Sequence, residues 1–149
     1  MDYVLRKAKA TDTIRIEELF AQMLKAIYHT DDVEGYETGY LDKFFLDKED
    51  WICVAEFENN VVAFLSIEVH RDEDYIYLDD LSVAEEYRNK GIGTKLIYAA
   101  EKYAEEIGIV KITFHIEKAN KDAYRLYSRL GYSEDVDEGN RIRMSKSIK

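Results

Sequence analysis

Proline is absent from this chain, and cysteine occurs once in 149 residues. With no proline, no low-complexity tract and no internal repeat, the sequence shows no linker. A single domain over residues 1–149 is the expectation, long enough to bury a substantial core. One cysteine excludes an internal disulfide, and Cys53 within WICVAEF reads as a small buried strand residue rather than a catalytic thiol. No apolar run is long enough to span a bilayer, and the N-terminus lacks the apolar block of a signal peptide. A cytoplasmic protein without a membrane role follows as the default.

Basic charge is also scarce. The formal net charge is −10, which argues against a nucleic-acid partner. The distribution is uneven. Residues 1–87 carry 22 acidic and 8 basic side chains, whereas residues 88–129 carry 5 acidic and 9 basic. The pattern fits two ligands of opposite sign, although a surface charged for solubility would also account for it. Nothing in the composition points to a metal.

What is present is periodic. Residues 2–8 read as a strand. A helix follows to about Tyr28, capped by Thr11 or Asp12, with an apolar stripe of Ile14, Leu19, Phe20, Met23, Leu24 and Ile27. An acidic, aromatic loop then leads to a short helix near 38–46. Strands are expected at 51–57, 61–70 and 75–83, with a hairpin turn at Glu58-Asn59-Asn60. A helix spans 93–107, a strand 109–116 and a helix 121–130, with Asn120 as its cap. Strands near 132–136 and 141–147 close the chain. The order is β-α-α-β-β-β-α-β-α-β-β, an α/β fold with a central mixed sheet and helices on both faces. The strand–helix–strand unit at 75–116 should be parallel.

Between strand and helix lies Arg88-Asn89-Lys90-Gly91-Ile92-Gly93, followed by Thr94. Glycines let successive N–H groups converge on an anion, and a helix start adds open donors and partial positive charge. The spacing is neither that of a Walker A loop nor, with Leu96 in place of a third glycine, that of a dinucleotide fold.

Arg88-x-x-Gly91-x-Gly93 follows a strand bearing LDDLSV. Some 27 residues after Gly93 begins Asn120-x-x-Ala123-x-x-Leu126-Tyr127-x-x-Leu130-Gly131-Tyr132. With these two motifs the chain resembles the GNAT superfamily of acyl-CoA-dependent N-acyltransferases. The motif match spans about residues 75–133, and the element order agrees over essentially the whole chain. One departure is Ala84-Glu85-Glu86, where that family often has a proline.

The resemblance implies a splay between the fourth and fifth strands and acetyl-CoA as the cofactor. Its pyrophosphate would sit on Arg88, Asn89, Lys90, Gly91, Ile92, Gly93 and Thr94. Its pantetheine arm would pair along Leu81, Ser82 and Val83, with Asn120 and Tyr127 beside it. Tyr127 is the candidate acid for the departing thiol; a packed helix tyrosine is the plainer reading of the spacing. Asp79 ranks first as base, followed by Asp80, Glu68 and His115, with ordered water as the alternative. Strand alternation puts Asp79 and Asp80 on opposite faces unless a bulge intervenes.

Residues 31–50 carry 8 acidic and 2 basic side chains plus Tyr36, Tyr40, Phe44 and Phe45, which suits an ammonium. A mobile acidic surface loop is the bland alternative. Tyr28, Tyr36 and Asp80 are the expected substrate contacts, and a small cationic primary amine is the expected acceptor. A protein or peptide acceptor, and a non-catalytic acyl-CoA-binding module, stay open. Members of such a family often dimerise, so a homodimer is a further expectation.

Overall fold

The computed structural model describes residues 2–46 and 48–148. Asp47, counted above in the acidic loop, lies outside the described residues. Seven strands form one sheet: β1 (Val4–Lys7), β2 (Trp51–Phe57), β3 (Asn60–His70), β4 (Tyr75–Val83), β5 (Lys111–Glu117), β6 (Ser133–Asp137) and β7 (Arg141–Ser147), in the order β1-β2-β3-β4-β5-β7-β6. Every neighbouring pair is antiparallel except β4–β5. Among the described residues three α-helices accompany them: α1 (Thr13–Tyr28), α2 (Ile92–Ile107) and α3 (Lys121–Arg129). Glu58 and Asn59 both adopt positive φ, the twist a two-residue β2–β3 hairpin demands.

The sheet separates two apolar cores. On one face Leu65, Ile67, Ile76 and Leu78 pack with Leu96, Ile97, Ala100 and Ala104 of α2 and with Phe114 and Tyr127. On the other, Ile52, Val54 and Phe64 pack with Ile16 and Leu19 of α1 and with Leu41 and Phe44. Cys53 belongs to the first core, and burial pushes its thiol up to about 12, which keeps it protonated and inert.

Two local expectations are corrected. The short helix near 38–46 is a 3₁₀ segment, Tyr40–Phe45, following Gly39 in the left-handed region. In α1 the stripe runs through Ile16 and Leu19, both fully buried, while Ile14 is 73% exposed. Ile14 and Ile16 differ by two positions, about 200° around a helix, so only one of them can face the sheet.

The parallel β4–β5 ladder is short. It pairs Ile76 with Ile112 and Tyr77 with Thr113, and then stops. Beyond that point the strands diverge, as the fourth and fifth strands were expected to do.

Candidate active site

The site is built where β4 parts from β5. Across β3, Leu65 pairs with Leu81 and Ile67 with Leu78, so Asp79 and Asp80 together oppose Ser66. This is a β-bulge on β4. Ser66, fully buried, completes it: its Oγ accepts from the Asp80 N–H at 3.0 Å and donates to the Asp80 carbonyl at 3.4 Å. The extra residue cancels the alternation of faces. Asp79 and Asp80 both turn toward the segment between α1 and β2, where each finds a tyrosine. Tyr36 Oη donates to Asp80 Oδ2 and Tyr40 Oη to Asp79 Oδ2, both at 2.6 Å.

The environment shifts both carboxyls. Burial pushes Asp80 up to about 7, the neighbouring Asp79 adds to the rise, and the Tyr36 bond opposes it. Burial raises Asp79 as well, against the Tyr40 bond. Tyr127 on α3 is 4% exposed and packs on Phe114 with ring centroids 3.8 Å apart. Burial, with Asp80's charge behind it, holds its hydroxyl above the usual phenol range, so it keeps its proton at neutral pH.

A cavity of about 290 Å³ joins these groups. Asp79, Asp80 and Leu81 line it from β4, Asn120 and Tyr127 from α3 and its cap, and Tyr28 from the end of α1. Of the residues expected from sequence, these six and His115, named as a lesser base candidate, meet at one place. Tyr36 does not line the cavity; it stands behind Asp80. Ser82 spends its hydroxyl on the Leu19 carbonyl at 2.8 Å, leaving only its main chain for a ligand. Asn120 caps α3 through the Ala123 N–H at 3.2 Å.

Sequence reasoning missed the aliphatic wall of Met23, Leu24 and Ile27, reading it as core. It also missed the chain from Tyr77 Oη to His115 Nδ1 at 2.7 Å and from His115 Nε2 to Glu138 at 3.2 Å. Arg141, which sequence reasoning did not name, lines the cavity as well. An apolar stripe alone does not tell core from cavity wall, and nothing local signalled the histidine chain.

The glycine loop lies beyond Val83. Asn89 and Gly91 adopt left-handed φ of 61° and 82°. Gly91 offers α2 no capping side chain. The first helical amide to reach back is that of Lys95, to Gly91 O at 3.1 Å. The amides of Ile92, Gly93 and Thr94 precede it and are left without a partner inside α2. A Cβ on Gly93 would come within 3.3 Å of Leu126 and 3.7 Å of Leu81, so this position seats α2 close to β4 and α3. Open amides, a helix start and the exposed Lys90 together fit a diphosphate. The Arg88 Nε donates to the Val83 carbonyl at 2.9 Å and ties the loop to the strand end.

A model of the acetyltransferase (GNAT) family matches residues 14–132. The Bacillus subtilis uncharacterized N-acetyltransferase YhfO is 32% identical over 137 residues, covering 89% of this chain and 91% of that protein. The PaiA N-acetyltransferase of Thermoplasma acidophilum, crystallised with coenzyme A, superposes with a TM-score of 0.81 at 20% identity, covering 99% of each chain. A GNAT-family acetyltransferase of Staphylococcus aureus superposes with a TM-score of 0.86 at 16% identity, over 99% of this chain and 100% of the other.

Proposed function

Because this chain belongs to the acetyltransferase (GNAT) family, we propose that it moves an acetyl group from acetyl-CoA directly to a small cationic primary amine. The observation that carries the reading is the cavity at the β4–β5 divergence, which has Asp80 and Tyr127 in the same lining. One group there can take a proton near neutral pH and the other can give one.

Acetyl-CoA, when bound, supplies an activated acyl carbon and a thiol leaving group. The amides of Ile92, Gly93 and Thr94, with Lys90, would hold its diphosphate, and the main chain of Leu81–Val83 would hold its arm. Asp79 and Asp80 draw the ammonium of the acceptor into the cavity. A carboxylate there takes one proton from the ammonium and exposes the nitrogen lone pair. Asp79 is the candidate from sequence; burial raises both it and Asp80, and the two neighbouring carboxyls take that proton as a pair. The main-chain N–H near Leu81 and Ser82 is the donor to the carbonyl oxygen as it gains charge. Tyr127 holds a proton at Oη for the departing sulfur. Met23, Leu24 and Ile27 keep the wall dry.

An amine panel assayed for release of the CoA thiol tests the reading. Spermidine, lysine-like amines and aminoglycosides should include a substrate. Turnover with a peptide alone would replace the acceptor class. Tight cofactor binding without amine-dependent thiol release would replace catalysis with a binding role.

A further inference from the structure

Three aromatic rings are stacked behind the carboxylates. Phe20 of α1 lies 3.8 Å from Tyr36, with planes 10° apart, and Tyr36 lies 4.9 Å from Tyr40, with planes 6° apart. The two tyrosines arrive from a segment 39 to 44 residues away from the aspartates they bond. Lys43 lies over the rings of Tyr40 and Phe44 and forms an ion pair with Glu68 of β3. The segment is therefore fastened to the sheet beside the bulge by an ion pair and two charge-assisted hydrogen bonds.

We propose that Tyr36 and Tyr40 are positioning residues: the stack on Phe20 holds their hydroxyls so that Asp80 and Asp79 present their remaining oxygens to the acceptor amine. The inference rests on the reading of the cavity as the acceptor site. A bulge by itself aims adjacent side chains to one side without fixing their rotation. Two carboxylates so close repel each other, and each is held by a donor it cannot swing away from without breaking a bond of 2.6 Å. Packing alone would have been served by phenylalanine at both positions.

Asp79 of β4 and Glu68 of β3 also act on Asp80, its charge reaches Tyr77 of β4, Tyr40 of the 3₁₀ segment and Tyr127 of α3, Lys43 acts on the neighbouring Asp79, and His115 of β5 and Arg141 of β7 share the cavity. None of these replaces the Tyr36 bond, which favours the ionised carboxyl. Its loss raises the pH at which Asp80 ionises.

Tyr36→Phe and Tyr40→Phe keep the rings and remove one hydroxyl each. In the full-length protein, kcat/KM for the amine should fall about tenfold in Tyr36→Phe, the worth of one charge-assisted bond. The KM for acetyl-CoA should not change. The acidic limb of the kcat/KM profile should move to higher pH. Carbon-13 titration of the aspartate carboxyls, with no ligand added, should show the same upward move for Asp80 in Tyr36→Phe and for Asp79 in Tyr40→Phe. If thermal stability drops while both the limb and the carboxyl titrations stay in place, the tyrosines merely pack and the inference is overturned. If wild-type protein turns over no amine yet the carboxyl titrations move, the acceptor reading fails and the hydroxyl–carboxylate coupling stands.

Discussion

Ser66 and Asp80 exchange two hydrogen bonds across the β3–β4 ladder, the hydroxyl of one serving both the N–H and the carbonyl of the other. A side chain thus does the work that a main-chain partner does elsewhere in the sheet. It also allows one residue of β3 to face two of β4.

Ser66→Ala should therefore act on both stability and activity. It leaves a main-chain N–H of β4 without its partner beside a buried position, a loss of about 1–3 kcal/mol. Thermal denaturation should show a lower Tm, and kcat/KM for the amine should fall as the bulge relaxes. Ser66→Thr, which retains the hydroxyl, should lose less activity than Ser66→Ala.

The pH dependence has a definite sign. Asp80 is raised in the folded state above its ordinary value, to about 7. A raised carboxyl favours the fold below its unfolded value and withdraws that support as pH rises through about 7. Asp80→Asn should thus be more stable than wild type at alkaline pH, and the difference should shrink on acidification. Activity runs the other way: wild-type kcat/KM should fall as pH drops through about 7, where the base protonates. Asp80→Asn should lose roughly 100-fold or more in kcat, the usual cost of a missing acid–base group. Paired denaturation and pH–rate curves check both halves.

Tyr127→Phe separates binding from chemistry. Tyr127 lines the cavity, and its ring, which packs on Phe114 and Tyr132, is kept by phenylalanine. Calorimetric affinity for CoA should be unchanged, and kcat should fall by roughly 100-fold. Equal kcat in the two proteins would remove Tyr127 from the acid role.

The two loop glycines should fail for different reasons. Gly91→Ala forces a side chain into a left-handed φ of 82° with open space around it, so it should weaken CoA binding by distorting the amide cradle. Gly93→Ala has an unremarkable φ but presses on the tip of Leu126, so it should lower stability and displace α3 with its Tyr127. Amide chemical shifts of residues 89–95 on addition of CoA, compared with melting curves, distinguish the two.

Much of this architecture was legible in the chain. Period-two runs and the 3.6-residue repeats of α2 and α3 yield the element order, because they reflect which local face is apolar. Arg88-x-x-Gly91-x-Gly93 and Asn120…Tyr127 mark the loop and the helix beside it, because a backbone cradle and a cap need particular residue types at short range. The short helix near 38–46 is found at Tyr40–Phe45, but so few turns could not tell a 3₁₀ run from an α-helix.

The sequence by itself determined the strands and helices, the glycine loop between β4 and α2 and the placing of Tyr127 on a helix after a cap. Tertiary structure alone decided that Asp79 and Asp80 share a side, that Tyr36 and Tyr40 serve them rather than line the cavity, and that α1 supplies its aliphatic wall. The reason is range. Alternation is a property of one strand, whereas a bulge exists only against the partner strand that is one residue short, and a tyrosine's role depends on a carboxylate some forty positions away in the chain.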